Sequence, residues 1–114
     1  MPATHRTNEL RSIALHRLVV DRIRQDTSLL DRARERVDRW LQDGDPVHPV
    51  WASRWHDLLA LPRDEILAAL VADTPEMRDL RQDSPFSGVV SQDEWWGIVR
   101  TVTEDDECAS RAAG

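Results

Sequence analysis

The apolar residues of this chain recur with the spacing of an α-helix in one segment after another. No segment alternates with the spacing of a β-strand over a useful length. The clearest stripe, at positions i, i+3, i+4 and i+7, consists of Trp95, Ile98, Val99 and Val102. A helix with such a stripe buries it against another element. The pattern therefore predicts an all-α fold.

Breakers and capping residues divide this pattern into six helical segments, at about 8–25, 27–44, 49–60, 62–73, a short one from 74 and a last one from 91. Thr27 or Ser28 is expected to cap the second segment, and Gly44 to end it. Thr74 and the capping box Ser91-Gln92-Asp93-Glu94 are expected to open the last two segments. We expect a compact bundle of five or six short helices with a disordered C-terminal tail.

The first segment has apolar residues around most of its circumference. This breadth indicates a central helix packed on more than one side, or a helix with one side packed and another offered to a partner. Around the bundle, we expect residues 1–7 to form a flexible N-terminus and residues 8–103 a single helical domain. Residues 104–114, acidic and then rich in alanine, are expected to form a disordered tail.

The composition is typical of one globular domain, with 114 residues, 40% of them hydrophobic and 32% charged. No apolar run approaches the ~20 residues that span a bilayer, the segment Met1–Asn8 is polar, and Cys108 is the single cysteine. We therefore expect a cytoplasmic protein without a membrane partner. All 15 basic residues are arginine, a composition that indicates a GC-rich bacterial genome.

A net charge of −6 argues against binding to nucleic acid by the chain alone, because such binding needs a basic excess. The one basic cluster lies at Arg32, Arg34, Arg36 and Arg39, with acidic residues between. A solvated face explains this cluster better than phosphate contacts do. A DNA-binding repressor is therefore one of the less favoured alternatives.

No motif in the chain carries chemistry. The four histidines, His5, His16, His48 and His56, do not pair at i, i+3 or i, i+4, and Cys108 has no cysteine partner. There is no nucleophile elbow and no phosphate-binding glycine loop. We expect no catalytic residue, metal, cofactor or small-molecule substrate, and a small enzyme is another less favoured alternative.

The five tryptophans are the most informative residues. Four of them fall on apolar stripes, where core packing is the default: Trp40, Trp51, Trp55 and Trp95. Trp96 lies off its stripe and one turn before Arg100, a pairing typical of an interface hot spot. The alternative is that Trp96 covers a loop such as the Pro85-Phe86 turn.

The segment Ser84–Val90 places apolar residues in a predicted turn, where Gly88 permits a positive φ. These residues either dock on their own bundle or form a patch for a partner. Taken with the start of the last helix, the candidate partner-binding residues are Phe86, Val89, Val90, Trp96 and Arg100.

The run Leu80-Arg81-Gln82-Asp83-Ser84-Pro85-Phe86-Ser87-Gly88-Val89-Val90, followed by a capped helix with Glu94-Trp95, resembles a group of small bacterial proteins. Leu15-His16-Arg17, Leu29-Leu30-Asp31 and the Trp55 helix also fit, so the resemblance covers residues 10–102. These proteins are similar to the antitoxin halves of toxin–antitoxin pairs. The resemblance implies a non-catalytic protein that neutralises a co-encoded toxin by direct binding. A helical adaptor or regulatory protein without a toxin partner, possibly homodimeric, is the alternative.

Overall fold

The computed structural model describes residues 5–113, with side chains described for residues 6–86 and 88–102. Six α-helices follow one another: α1 (His5–Gln25), α2 (Ser28–Asp43), α3 (Pro49–Leu59), α4 (Arg63–Leu70), α5 (Pro75–Arg81) and α6 (Gln92–Ala113). A 3-10 turn at Ser87–Val89 precedes α6. Within residues 5–113 there is no β-strand, so the all-α prediction is confirmed.

Most helix boundaries lie where the capping residues predict them. Gly44 adopts a left-handed φ of 70°, and its N–H donates to the carbonyl oxygen of Trp40 at 2.8 Å, which ends α2. The Oγ1 of Thr74 accepts a hydrogen bond from the N–H of Met77 at 3.2 Å, and Pro75 occupies the first turn of α5.

Two helices begin where predicted but are capped by side chains that were not predicted as caps. Thr27 makes no side-chain cap for α2; instead, the carboxylate of Asp26 accepts hydrogen bonds from the N–H and the hydroxyl of Ser28, at 3.1 and 2.6 Å. At the start of α3, the Nδ1 of His48 accepts a hydrogen bond from the N–H of Val50 at 3.2 Å. Both side chains satisfy helix N–H groups that have no partner within the helix.

The first and last helices extend beyond the predicted helical segments. α1 begins at His5, ahead of the predicted start at Asn8. Thr7 is buried, and the Nη2 of Arg6 lies 3.0 Å from the Oδ2 of Asp73, so both residues contact the rest of the bundle. At this end, residues 1–4 lie outside the described part. At the other end, α6 continues to Ala113, so the backbone has no boundary at residue 103. Disorder of residues 104–114 stays a prediction.

The core lies among α1, α2, α3, α4 and α5. α2 and α3 form a hairpin with an extensive contact, and α1 packs on α2, α4 and α6. The largest fully buried side chains, by volume, are Trp55, Phe86, Ile23, Leu59, Ile66, Leu70, His16, Val19 and Val37. These side chains connect the first helix to the turn before the last helix.

Candidate partner-binding surface

Phe86 lies in the core, so its predicted place on a partner-binding surface is wrong. Its side chain is 0% exposed, and its ring meets that of Trp55 edge to face with the centroids 6.2 Å apart. Burial of a phenylalanine removes its whole apolar surface from water, which stabilises the fold by about 1.5–3 kcal/mol. Of the two interpretations of the turn, docking on its own bundle is therefore the one that holds for Phe86.

Donors on neighbouring helices hold the backbone of this turn. The Nη1 of Arg36 donates to the carbonyl oxygen of Pro85 at 3.2 Å, and the Nη1 of Arg22 donates to the carbonyl oxygen of Val89. The 3-10 geometry of Ser87–Val89 reverses the chain without a left-handed residue, since Gly44 is the one described residue with positive φ. The expectation of a positive φ at Gly88 is therefore wrong. These contacts fix the point from which α6 departs.

His16 and Ser84 meet across 68 residues of sequence, with the imidazole Nε2 2.8 Å from the Oγ of Ser84. The other ring nitrogen, Nδ1, lies 2.7 Å from the carbonyl oxygen of Ser12 and donates to it, since a carbonyl only accepts. Nε2 is then the acceptor for the Ser84 hydroxyl. His16 is 1% exposed, and burial is the main reason that its pKa falls to about 4. This neutral pair fastens the turn to α1.

The start of α6 is fixed by the predicted capping box. The Ser91 N–H donates to the Oε1 of Glu94 at 3.0 Å, and the Glu94 N–H donates to the Oγ of Ser91 at 3.2 Å. Glu94 also pairs with Arg22 on α1. The hydrogen bond from the Ser91 backbone, followed by the one from Arg22, lowers the pKa of the Glu94 carboxyl below its usual value. α6 is thus anchored at its first turn by polar contacts.

Beyond that first turn, α6 lies outside the buried core. Within residues 92–102, where its side chains are described, none is fully buried. The members of its apolar stripe are all half-buried: Trp95, Ile98, Val99 and Val102. Trp95 was predicted in the core but lies beside a cavity that it shares with Trp40 and Val47. The last helix therefore carries an apolar stripe that the described part of the bundle covers only in part.

The α1–α6 groove lies along the contact between the two helices, and we define it by its lining residues: Ala14, Leu18, Glu94, Gly97, Ile98, Thr101 and Val102. It has a volume of about 400 Å³ and is open to solvent. Ala14 and Leu18 are half-buried and one turn apart, whereas Ile13 and Val19 on the other side of α1 are buried. One apolar side of α1 is buried in the bundle and another lines the groove. This explains why apolar residues surround most of the helix.

Trp96 and Arg100 lie on the outer face of α6. Trp96 is 54% exposed, so it does not cover the Pro85-Phe86 turn. Successive residues of an α-helix are rotated by about 100° around its axis. Arg100 therefore lies between Trp96 on one side and Gly97, at the edge of the groove, on the other. Val89 and Val90 are half-buried and pack against the core. The structure therefore leaves Trp96 and Arg100 exposed on α6, outside the lining of the groove and with Trp96 on roughly the opposite side of the helix, and it leaves Phe86 inside.

The arrangement defines an all-α protein with a half-buried apolar stripe and an exposed tryptophan on its last helix. No family model matches the chain, and no curated protein or solved structure matches it either. Among the described residues, no three His, Cys, Asp or Glu side chains are grouped so that they could hold a metal ion. None of the helices in the described part is long and apolar enough to cross a membrane.

Proposed function

We propose that this chain is a non-catalytic protein-binding module that holds a partner protein against α6, in the α1–α6 groove and around the adjoining outer face. The observation that carries this proposal is the half-buried apolar stripe of α6 together with the α1–α6 groove beside it. A helix with an apolar stripe is stable in water when that stripe is covered. A partner helix laid in the groove would bury Leu18, Ile98 and Val102 further.

Trp96 gives this surface an anchor. Tryptophan and arginine are enriched among residues that dominate binding energies, and Trp96 and Arg100 lie one turn apart on the exposed side of α6. A partner that holds both sites must wrap around α6, from Trp96 past Arg100 and Gly97 to the groove, because Trp96 and the groove lie on roughly opposite sides of the helix. Apolar anchors with a polar rim are the usual composition of a protein interface.

In its specific form, the proposal is that the partner is a co-encoded bacterial toxin and that this protein is its cytoplasmic antitoxin. The support is the resemblance of the Leu80–Val90 run and the capped Trp95 helix to antitoxins, and it comes from the sequence alone. The net charge of −6 suits a basic partner.

Co-expression tests the proposal. The gene that neighbours this one is expressed with and without this chain, and we expect growth arrest with the neighbour alone and rescue with both. Ile98→Asp should abolish rescue and co-purification, because an unpaired carboxylate there is costly to desolvate, unlike Glu94, which is paired with Arg22. Leu61→Asp is the matched control, since Leu61 is an exposed leucine outside the groove. Rescue by Ile98→Asp equal to that of the wild type would contradict the proposed surface.

The second candidate is a homodimeric adaptor, and the same groove favours it. Two copies that pack α1 and α6 against each other would form a four-helix contact with closed two-fold symmetry. Light scattering after gel filtration separates the candidates. A monomer that gains mass only with the neighbouring protein supports the toxin partner, whereas a dimer that Ile98→Asp dissociates supports the adaptor.

A further inference from the structure

A polar cavity lies between α1 and α5, apart from the α6 surface. It has a volume of about 520 Å³ and is lined by Asn8, Glu9, Ser12, Arg78, Arg81 and Gln82. This volume falls in the range of small-molecule sites. Three of the lining residues, Ser12, Arg81 and Gln82, also line the neighbouring cavity of about 350 Å³ that extends to Trp40 and Trp95. Arg81 therefore stands between two adjoining spaces.

Arg81 is buried with part of its guanidinium unsatisfied. The residue is 4% exposed, and its Nη1 donates to the carbonyl oxygens of Leu70 and Ala72 at 3.2 and 2.7 Å. That nitrogen satisfies carbonyl groups at the end of α4. Its Nε and Nη2 are buried and have no hydrogen-bond partner. Buried donors without a partner destabilise a fold, so a fork of two free N–H groups is a costly feature to keep.

The charges around this cavity favour an anion. Its lining includes two guanidinium groups, Arg78 and Arg81, and one carboxylate, Glu9. Glu9 is engaged by Arg78, whose Nε lies 2.9 Å from its Oε1. The remaining positive charge is that of Arg81. The lining thus carries one more positive than negative charge in a protein with a net charge of −6, while Asp73, outside the lining, favours the charged form of Arg81.

We propose that this cavity binds the oxyanion of a small molecule, a carboxylate or a phosphate group, on the Nε and Nη2 of Arg81. The planar fork of an arginine matches two oxygens of such a group, and a charge-assisted pair is stronger than a neutral hydrogen bond. Ser12 and Gln82 supply further donors at the shared wall of the two cavities. The neighbouring space beside Trp40 and Trp95 receives an apolar body attached to the oxyanion. This site departs from the sequence-based expectation of no small-molecule ligand.

The test is an NMR titration of the ¹⁵N-labelled full chain with inorganic phosphate and, separately, with acetate, against sodium chloride at matched ionic strength. The Nε–H signal of Arg81 is the direct readout. We expect it to shift in a saturable way with one of the two oxyanions, and the tighter of them identifies the ligand class. Shifts that stay linear with concentration, or that chloride reproduces, would overturn the proposal.

Three variants sharpen the test. Arg81→Lys keeps a cation for the carbonyls of Leu70 and Ala72 but removes the fork, so saturable binding should weaken by about tenfold or more. Glu9→Gln removes the carboxylate that competes for the arginines, so binding should tighten several-fold. Glu35→Gln, on the exposed face of α2, is the charge-matched control and should leave the affinity unchanged. If Arg81→Lys does not fold, Glu9→Gln decides: affinity equal to that of the control variant overturns the proposal.

Discussion

The rings of Phe86 and Trp55 meet edge to face in the core, and this contact attaches the Ser84–Val90 turn to the bundle. The same turn receives a hydrogen bond from Arg36 and another from Arg22. Trp55 also donates from its Nε1 to the carbonyl oxygen of Leu80 at 3.1 Å, so its polar atom is satisfied inside the core. These few side chains thus fix the turn from which α6 begins.

Phe86→Ala should lower the free energy of unfolding by about 3–5 kcal/mol, because it leaves a cavity beside Trp55. Trp96→Ala is the matched aromatic control. Because Trp96 is exposed, this substitution should change the same quantity by less than about 1 kcal/mol. Urea denaturation of the two variants measures both values. An equal loss of unfolding free energy in the two variants would contradict the assignment of Phe86 to the core and Trp96 to the surface.

His16 should make stability depend on pH. Burial lowers its pKa in the folded protein from 6.5 to about 4. Above pH 6.5 both states are neutral and the stability is fully present; as pH falls toward 4, the unfolded chain binds a proton that the folded protein excludes. The free energy of unfolding should therefore fall by about 3 kcal/mol across that window.

Denaturant titrations between pH 7 and pH 4.5 measure this slope. His16→Gln should flatten it, because glutamine does not titrate. Ser84→Ala should keep most of it, because burial and not the Ser84 hydroxyl is the main cause of the low pKa. A slope in His16→Gln as steep as that of the wild type would mean that other groups produce it.

At the scale of the helices, α6 differs from the other five in how it is held. It begins with the capping box of Ser91 and Glu94, which pairs with Arg22, and its described stripe is only half-buried. The helices α2 to α5 each contribute fully buried residues to the core. A helix held by its first turn and by one partly open face is suited to receive a second protein on the other faces.

Ser91→Ala should destabilise the protein by about 1 kcal/mol, since it removes the acceptor for the Glu94 N–H. Ser53→Ala is the matched control, because Ser53 is exposed within α3 and its loss should cost no more than about 0.5 kcal/mol. Thermal unfolding of both variants provides the comparison. Hydrogen exchange of the α6 amides should speed up in Ser91→Ala and not in Ser53→Ala. Equal exchange rates of these amides in the two variants would contradict the role of Ser91 as the cap of α6.

For the whole molecule, the local part of the fold could be predicted and the long-range part could not. Helical periodicity, Gly44, Thr74 and the Ser91 capping box act within one or two turns, so the sequence displays them directly. The His16–Ser84 contact joins residues 68 apart, and no local pattern reports it.

The same distinction explains the candidate surface. The sequence places Trp96 off the apolar stripe of α6 but leaves open whether it covers a loop, and its exposure of 54% decides against the loop. The burial of Phe86 depends on Trp55, which is far away in sequence, and so a loop position suggested an exposed residue. Arg81 lay within a sequence run of recognisable spacing, but its unpartnered guanidinium nitrogens emerge only when α4 and α5 are in place. Pairing across the fold therefore decides which motif residues face outward.

The most direct test of the account is the affinity of this chain for the protein encoded beside it, measured by isothermal titration calorimetry. Trp96→Ala should weaken the complex by about 30-fold or more, which is about 2 kcal/mol, while the free energy of unfolding stays nearly unchanged. Leu61→Ala, which truncates an exposed leucine elsewhere, should leave the affinity within about twofold. An affinity of Trp96→Ala equal to that of the wild type, or a loss that tracks unfolding, would contradict the claim that α6 holds the partner.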